Sequence, residues 1–458
     1  MSSHRGRLVG LLAGTGVSVI ALAGGVASAA PAGFGAPIVL QAPSVSHVET
    51  PAVSVTSSGQ VAAVWSAQVA ATGHFGNVVR RGTTSGRFGA AERVPGAGIE
   101  PSVAVGRSGG AAVVWLSDTA KGGTRHVEAS VALGHGHFGK VQVLGTVRAG
   151  IGPQEVFASG GRYVAVWLQG VPTTDKHALL YAVSNAAGHF GAARTLAANV
   201  GIGFTAVAGP DGTVSAAWRT TPNANPAENA TLEFAELAPG AGVFGATKAG
   251  PDNGENNSGG LGLFSGPGGT ALTWTDLGAA SESLRELPIG PGVASAPQTV
   301  FTLQTADTGK LSASGPVLAL PAQGPSPVAA FAVLAGTSGD SQVTTAGTVF
   351  ATVPGAGGAF AAPVELSKPG TLSTQPVAGA TSSTAVIAWT TGSFKHYGLE
   401  YAIRPASGSF GAARSLTSLR SEGPVTLSSS PGAVVATWVS GAAANHLGID
   451  VAILRDAG

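Results

Sequence analysis

Tryptophan recurs in this chain at a near-constant step. It stands at 65, 115, 167, 218, 274, 389 and 438, so the intervals are 50, 52, 51, 56, 115 and 49 residues. The one double interval contains PVAAFAVL, where Phe331 takes the tryptophan context and divides it into 57 and 58. A second series keeps pace with the first: GFGAP at Phe34, RFGAA at Phe88, HFGKV at Phe138, HFGAA at Phe190, VFGAT at Phe244, AFAAP at Phe360 and SFGAA at Phe410. Its member after Trp274 has drifted to GVASAPQTV. A fixed period of this length marks a repeat architecture, in which each unit buries its apolar faces against its neighbours.

One repeat reads as four strands. In PSVAVGRSGGAAVVWLS two alternating apolar runs flank a glycine-rich turn, and RHVEASVALGHGHFGKVQVL supplies two more. Four strands in about 50 residues, eight times over, predict an all-β chain: a single closed eight-bladed β-propeller over residues 30–458. The chain opens on an isolated fourth-type strand, FGAPIVL, and ends after a third-type strand, GIDVAIL. The N-terminal strand is therefore predicted to complete the last blade, which removes exposed sheet edges. Trp65, Trp115, Trp167, Trp218, Trp274, Phe331, Trp389 and Trp438 are read as structural repeat residues packed between blades. Glycine at 70 of 458 residues and 44% hydrophobic residues fit many short strands and turns.

The GG…VVW and FGAA segments resemble those of secreted bacterial β-propeller repeat proteins, grouped loosely with sialidase-like propellers. The resemblance spans the chain after residue 29 and implies fold, not activity.

Residues 1–29 read as a signal peptide. Arg5 and Arg7 form the positive start, an uncharged apolar stretch follows from Leu8, and Ala27-Ser28-Ala29 gives a small-x-small site with cleavage between Ala29 and Ala30. The expected location is secreted, in the extracellular or cell-wall space of a bacterium, with no membrane span once the signal is removed. Cysteine is absent, so disulfides, lipid attachment through cysteine and thiolate metal sites are excluded. Charged residues make up 10% with a net charge of +1, and no basic face of the kind nucleic acid requires is visible.

Several short motifs invite chemistry and are better read as turns. GHGHFG at 134–139 matches the dinucleotide-loop glycine pattern and holds His135 and His137, yet a strand follows it where a helix would be needed. GRSGG around Ser108 lies in a hairpin rather than a strand-to-helix elbow. Asp211 in GPDGTVSAAW departs from the sialidase Asp box, and Tyr397 with Glu400, the nearest match to the Tyr–Glu pair of such enzymes, fall on opposite strand faces. PDNGENNSGG at 251–260 is oxygen-rich but has only two carboxylates and no calcium-loop spacing. No catalytic residue, cofactor or metal site is assigned.

One pattern remains. The loop before the third strand of five repeats carries His74, His126, His177, His396 and His446. The connections entering the first strands carry Glu49, Glu100, Glu155 and Glu422. In blade geometry both sets gather on one rim and form a candidate ligand face. The bland reading is a tolerated polar loop residue repeated by inheritance. The reading adopted is a monomeric, secreted, non-catalytic binding or scaffold protein that recognises a protein or cell-surface glycan through one face. The alternative is a sialidase-like propeller glycoside hydrolase.

Overall fold

The computed structural model describes residues 33–456, apart from 46, 70–71, 119–123, 149–153, 171–176, 221–230, 251–260, 278–280, 291–295, 305–310, 314–315, 325, 336–345, 356, 394–395, 422 and 444–445. The signal-peptide reading, the Ala29/Ala30 junction, Glu422 and the 251–260 loop lie outside the described residues. Among the described residues all 31 elements of regular structure are strands, and every ladder between them is antiparallel. No helix among the described residues is long and apolar enough to cross a membrane.

The strands form antiparallel meanders, one for each repeat. The second meander is typical: Ala111–Ser117 pairs with Thr124–Ala132, and that strand with Gln142–Arg148. Its last turn contains the GHGHFG stretch. Gly134 has φ +52°, the Gly136 N–H donates to the Leu133 carbonyl at 2.9 Å, and the Gly139 N–H donates to Val131 at 3.0 Å. The stretch is a hairpin turn, and glycine is there because the turn needs a left-handed residue.

Four separate strands per blade proved too simple. Hydrogen bonding joins the meanders into sheets of eight, seven, four, seven and five strands. Strands Glu92–Val105 and Arg194–Ala208 each serve as the outer strand of one meander and the inner strand of the next. Bulges make this possible. The register shifts between Ile99 and Ser102 and between Val200 and Phe204, beside Gly96 and Gly203 at φ +95° and +116°. A bulge bends a strand sharply enough to hand it to a neighbouring sheet. The sixth meander is the least regular, with its inner edge split into Leu311–Ala313 and Val317–Ala319.

Packing follows the period. Alternate side chains of each meander face its two neighbours, and the described core falls into eight clusters, one at each joint. Trp115 packs with Val64 and Val79 of the first meander, Trp167 with Val114 of the second, and Trp218 with Val166 of the third. Phe331 packs with Leu284 of the fifth. All seven tryptophans and Phe331 are fully buried.

The first and last meanders meet as well. Trp65 clusters with Val435 and Ile449. Strand Ile38–Val45 pairs with the final strand, with Ile38 opposite Val451 and Val45 opposite Leu447. The Trp65 indole donates to the side-chain Oε1 of Gln41, and Arg80 donates to the Leu40 backbone carbonyl at 2.8 Å.

The inner strands are stitched side by side. Backbone N–H groups of one meander donate to hydroxyls of its neighbour: Val105 to Ser54, Val156 to Ser102, Leu263 to Thr205 and Val55 to Ser428, all at 3.1–3.2 Å. These bonds satisfy inner-strand donors that have no further strand to pair with.

Candidate functional site

The five histidines do stand at the same end of equivalent strands. His177, His396 and His446 open their strands opposite Gly170, Ser393 and Ala443, while His126 is the third residue of its strand and His74 immediately precedes Phe75. Their environments differ. His74, His126 and His446 are exposed, whereas His177 is 6% exposed and its Nδ1 has no hydrogen-bond partner among the described residues. His177 pairs with both Gly170 and Val200, so it lies inside a three-strand ladder rather than in the loop before it. That placement directs the imidazole into the joint. An exposed arc of five is therefore not what the chain builds.

The acids also separate. Glu49 is half-buried, and its Oε2 accepts the Glu100 N–H at 2.6 Å, tying the loop before the first meander to the crossover into the second. Burial raises its carboxyl above the usual range, opposed by that N–H and by the Ser66 hydroxyl. Glu100 is exposed and holds a left-handed φ of +52°. Glu155 is not in a connection at all. It is the second residue of inner strand Gln154–Ser159. Where other joints use a hydroxyl, the Ala206 N–H meets the Glu155 carboxyl, and burial pushes that group up to about 8.

A groove of about 360 Å³ opens on the histidine-bearing end between the first and second meanders. His74, Ser117, Asp118 and Glu128 supply its polar wall, and Gly96, Ala97 and Val141 the rest. Each part has a local cause. The bulge in Glu92–Val105 moves the crossover aside, and Gly96 leaves the floor bare, because a Cβ there would stand 3.2 Å from the Trp115 ring and 3.6 Å from Glu128 Oε2. Asp118 follows directly after strand Ala111–Ser117, and its own N–H donates to Ala97 at 3.2 Å. Asp118 Oδ2 contacts His74 Nδ1 at 2.7 Å and accepts the Phe75 N–H at 3.2 Å, joining the two meanders. Glu128 lies directly across the ladder from Trp115, and its Oε2 accepts the indole N–H at 2.9 Å. Burial raises the Glu128 carboxyl, while the indole and the nearby His126 pull the other way. Arg125 is turned out of this wall and donates to the Ser117 and Asp118 carbonyls at 2.6 and 2.7 Å.

Asp118 and Glu128 are the residues that motif reading passed over. The available signal was the ladder position of Glu128 opposite a repeat tryptophan, a position Glu233 shares opposite Trp218 with an indole bond of 2.9 Å. Asp211 caps its own turn through Thr213, at 2.9 Å to the N–H and 2.8 Å to the hydroxyl. Glu400 faces Trp389 across the ladder, three residues from Tyr397.

No family model matches this sequence, and no curated protein does. Among solved structures the chain is similar to the β-propeller domain of the Trilobed protease from Pyrococcus furiosus, at 8% identity and a TM-score of 0.44, covering 82% of this chain and 96% of that one. It is also similar to the polysaccharide lyase Uly1, at 12% identity and 0.47, covering 88% and 89%. A Penicillium chrysogenum alpha-L-arabinanase gives 10% identity and 0.37, covering 93% and 99%. These neighbours are β-propeller proteins, and the likeness is one of fold only.

Proposed function

We propose that this chain is an exported, closed eight-bladed β-propeller whose N-terminal strand completes the eighth blade, and that it binds a protein or cell-surface glycan through the rim bearing His74 without catalysing a reaction. Closure is supported by the eight joint clusters and by the pairing of Ile38–Val45 with the final strand. Export is supported by the charged, apolar and small-residue order of residues 1–29.

The observation that carries the binding reading is the groove between the first two meanders. It is concave and open at the rim, and its convergent polar side chains are held in place by bonds to a neighbouring meander or to Trp115. Pre-organised polar groups on an apolar floor are what a recognition site needs.

The test is co-sedimentation of the mature protein with bacterial cell-wall polysaccharide, and cross-linking to envelope proteins. Both are run beside His74→Ala/Asp118→Ala and beside Ser85→Ala on the opposite rim. Binding that the rim pair abolishes and Ser85→Ala preserves is expected. Binding indifferent to the rim pair, or none in either format, contradicts the reading.

A further inference from the structure

We propose that the joint between the fifth and sixth meanders is a pH-sensitive seam, closed while Glu286 carries a proton and the first joint to part once that proton is lost. The seam is separate from the rim groove and does not depend on the binding reading.

One acid in an apolar wall makes it. Glu286 lies in strand Ser281–Ile289, opposite Thr273 on one side and Gln298 on the other, and is 0% exposed. Among the described residues neither of its carboxylate oxygens has a hydrogen-bond partner. Alternation places it on the face of Leu284, which packs against Leu318, Leu320, Ala329 and Phe331 of the sixth meander. No cation answers it there. In the described strands of the fifth meander, Glu282 shares its face four residues away, while Asp276 and Arg285 lie on the opposite face and pair at 3.4 Å. In those of the sixth, the one ionisable residue is Glu365, exposed on the outermost strand Val364–Glu365. The polar neighbours offer no proton either. The Thr273 hydroxyl is turned to the Gly262 and Pro316 carbonyls at 3.5 and 3.4 Å, and Gln298 Oε1 is itself a buried acceptor without a donor. A charged carboxylate at this place would be neither solvated nor paired, so burial favours the acid form and pushes the group up to about 7.

The backbone lets this joint part alone. Strands Glu92–Val105 and Arg194–Ala208 run through the first–second and third–fourth joints, which cannot separate without breaking a ladder. Glu155 stands at the third–fourth joint, and it has the Ala206 N–H as a donor. The fifth and sixth meanders instead form separate sheets of four and five strands. The Gly268 N–H reaches across to the Leu320 carbonyl at 2.7 Å, and the packing between the two sheets is apolar. Parting returns Glu286 to water, where it behaves as an ordinary glutamate, so parting releases a proton between about pH 4.5 and 7. Opening therefore becomes more favourable by up to about tenfold per pH unit across that interval, and levels off once the closed form is ionised too.

The test is native-state hydrogen exchange of the full protein from pH 5 to 8, read by mass spectrometry and corrected for the intrinsic pH dependence of amide exchange. Protection of Gly269–Leu277, Ser281–Ile289 and Val328–Ala335 should fall by more than about tenfold between pH 5 and 7. Protection of Ala111–Ser117 and Val214–Thr220, at the joints a strand runs through, should hold. Glu286→Gln should abolish the fall, and Glu286→Leu, which fills the place without a carboxyl, should do the same. Equal falls at all these strands in the wild type, or no fall at the fifth and sixth meanders, overturns the inference. So does a fall that survives either substitution.

Discussion

The joint between the first and second meanders and the joint between the fifth and sixth solve the same packing problem with different residues. At the first, Trp115 fills the core and its indole N–H holds Glu128, while Ser66 Oγ donates to Asn77 Oδ1 at 2.7 Å and Glu49 takes the Glu100 N–H. At the second, Phe331 stands in the tryptophan position and stacks on Phe301 at 4.5 Å and on Phe350 at 5.9 Å. Phenylalanine brings the apolar bulk but no donor. Glu286, opposite Thr273 and wholly buried, has no partner for either carboxylate oxygen among the described residues, and burial pushes it up to about 7. The tryptophan edge anchors an acid that can face a rim groove. At the other joint the buried acid has no such donor, and burial alone holds its carboxyl up to about 7.

Truncation of each aromatic measures how far the apolar part is shared. Trp115→Ala and Phe331→Ala should each cost about 3–5 kcal/mol in chemical unfolding. A cost below about 1 kcal/mol at either joint would show that its cluster is not a core.

The acids separate the joints by pH. The folded Glu286 value, about 7, lies above the 4.5 of an ordinary glutamate. Its protonated form is therefore favoured by folding, so the contribution is complete below about pH 4.5 and is lost as pH rises through 7. A difference of this size corresponds to about 3 kcal/mol. Glu286→Gln should flatten the fall in melting temperature between pH 5 and 8 and raise stability at pH 9. Glu155, raised to about 8, acts with the same sign. Glu155→Gln should remove a decline that begins near pH 4.5 and continues through 8, including the part above 7 that Glu286 does not supply. Parallel pH profiles for wild type and Glu286→Gln would contradict the buried-acid description.

The polar part of the first joint gives the smallest effect. Trp115→Phe should cost about 1–2 kcal/mol, from the Glu128 oxygen left without its donor together with a small loss of packing. Phe331 has no such bond to lose, so a Trp115→Phe cost of zero would mean that the indole bond contributes nothing.

The repeat was legible because tryptophan and the FG turns each occur once per unit and must pack at each joint. Phe331 could be placed because its surroundings, PVAAFAVL, keep the alternation. The continuous strands were not legible: only register and the left-handed Gly96 and Gly203 show bulges inside a strand. The candidate site was legible in part. Repeat position located the rim and His74. It gave no indication that His177 begins one residue further inside its ladder or that Glu155 belongs to an inner strand. Asp118 and Glu128 belong to no motif. They meet His74 only because a bulge brings two meanders together.

The pairing of the N-terminal strand with the final strand bears most directly on the proposed ring closure, and the chain's lack of cysteine lets it be trapped by an introduced disulfide. Ile38 and Val451 are cross-strand partners in the cluster around Trp65. In the Ile38→Cys/Val451→Cys variant, oxidation should produce an intramolecular disulfide in a monomer, with a raised melting temperature. Free thiols after oxidation, or only disulfide-linked dimers, would show that the N-terminal strand does not close the last blade.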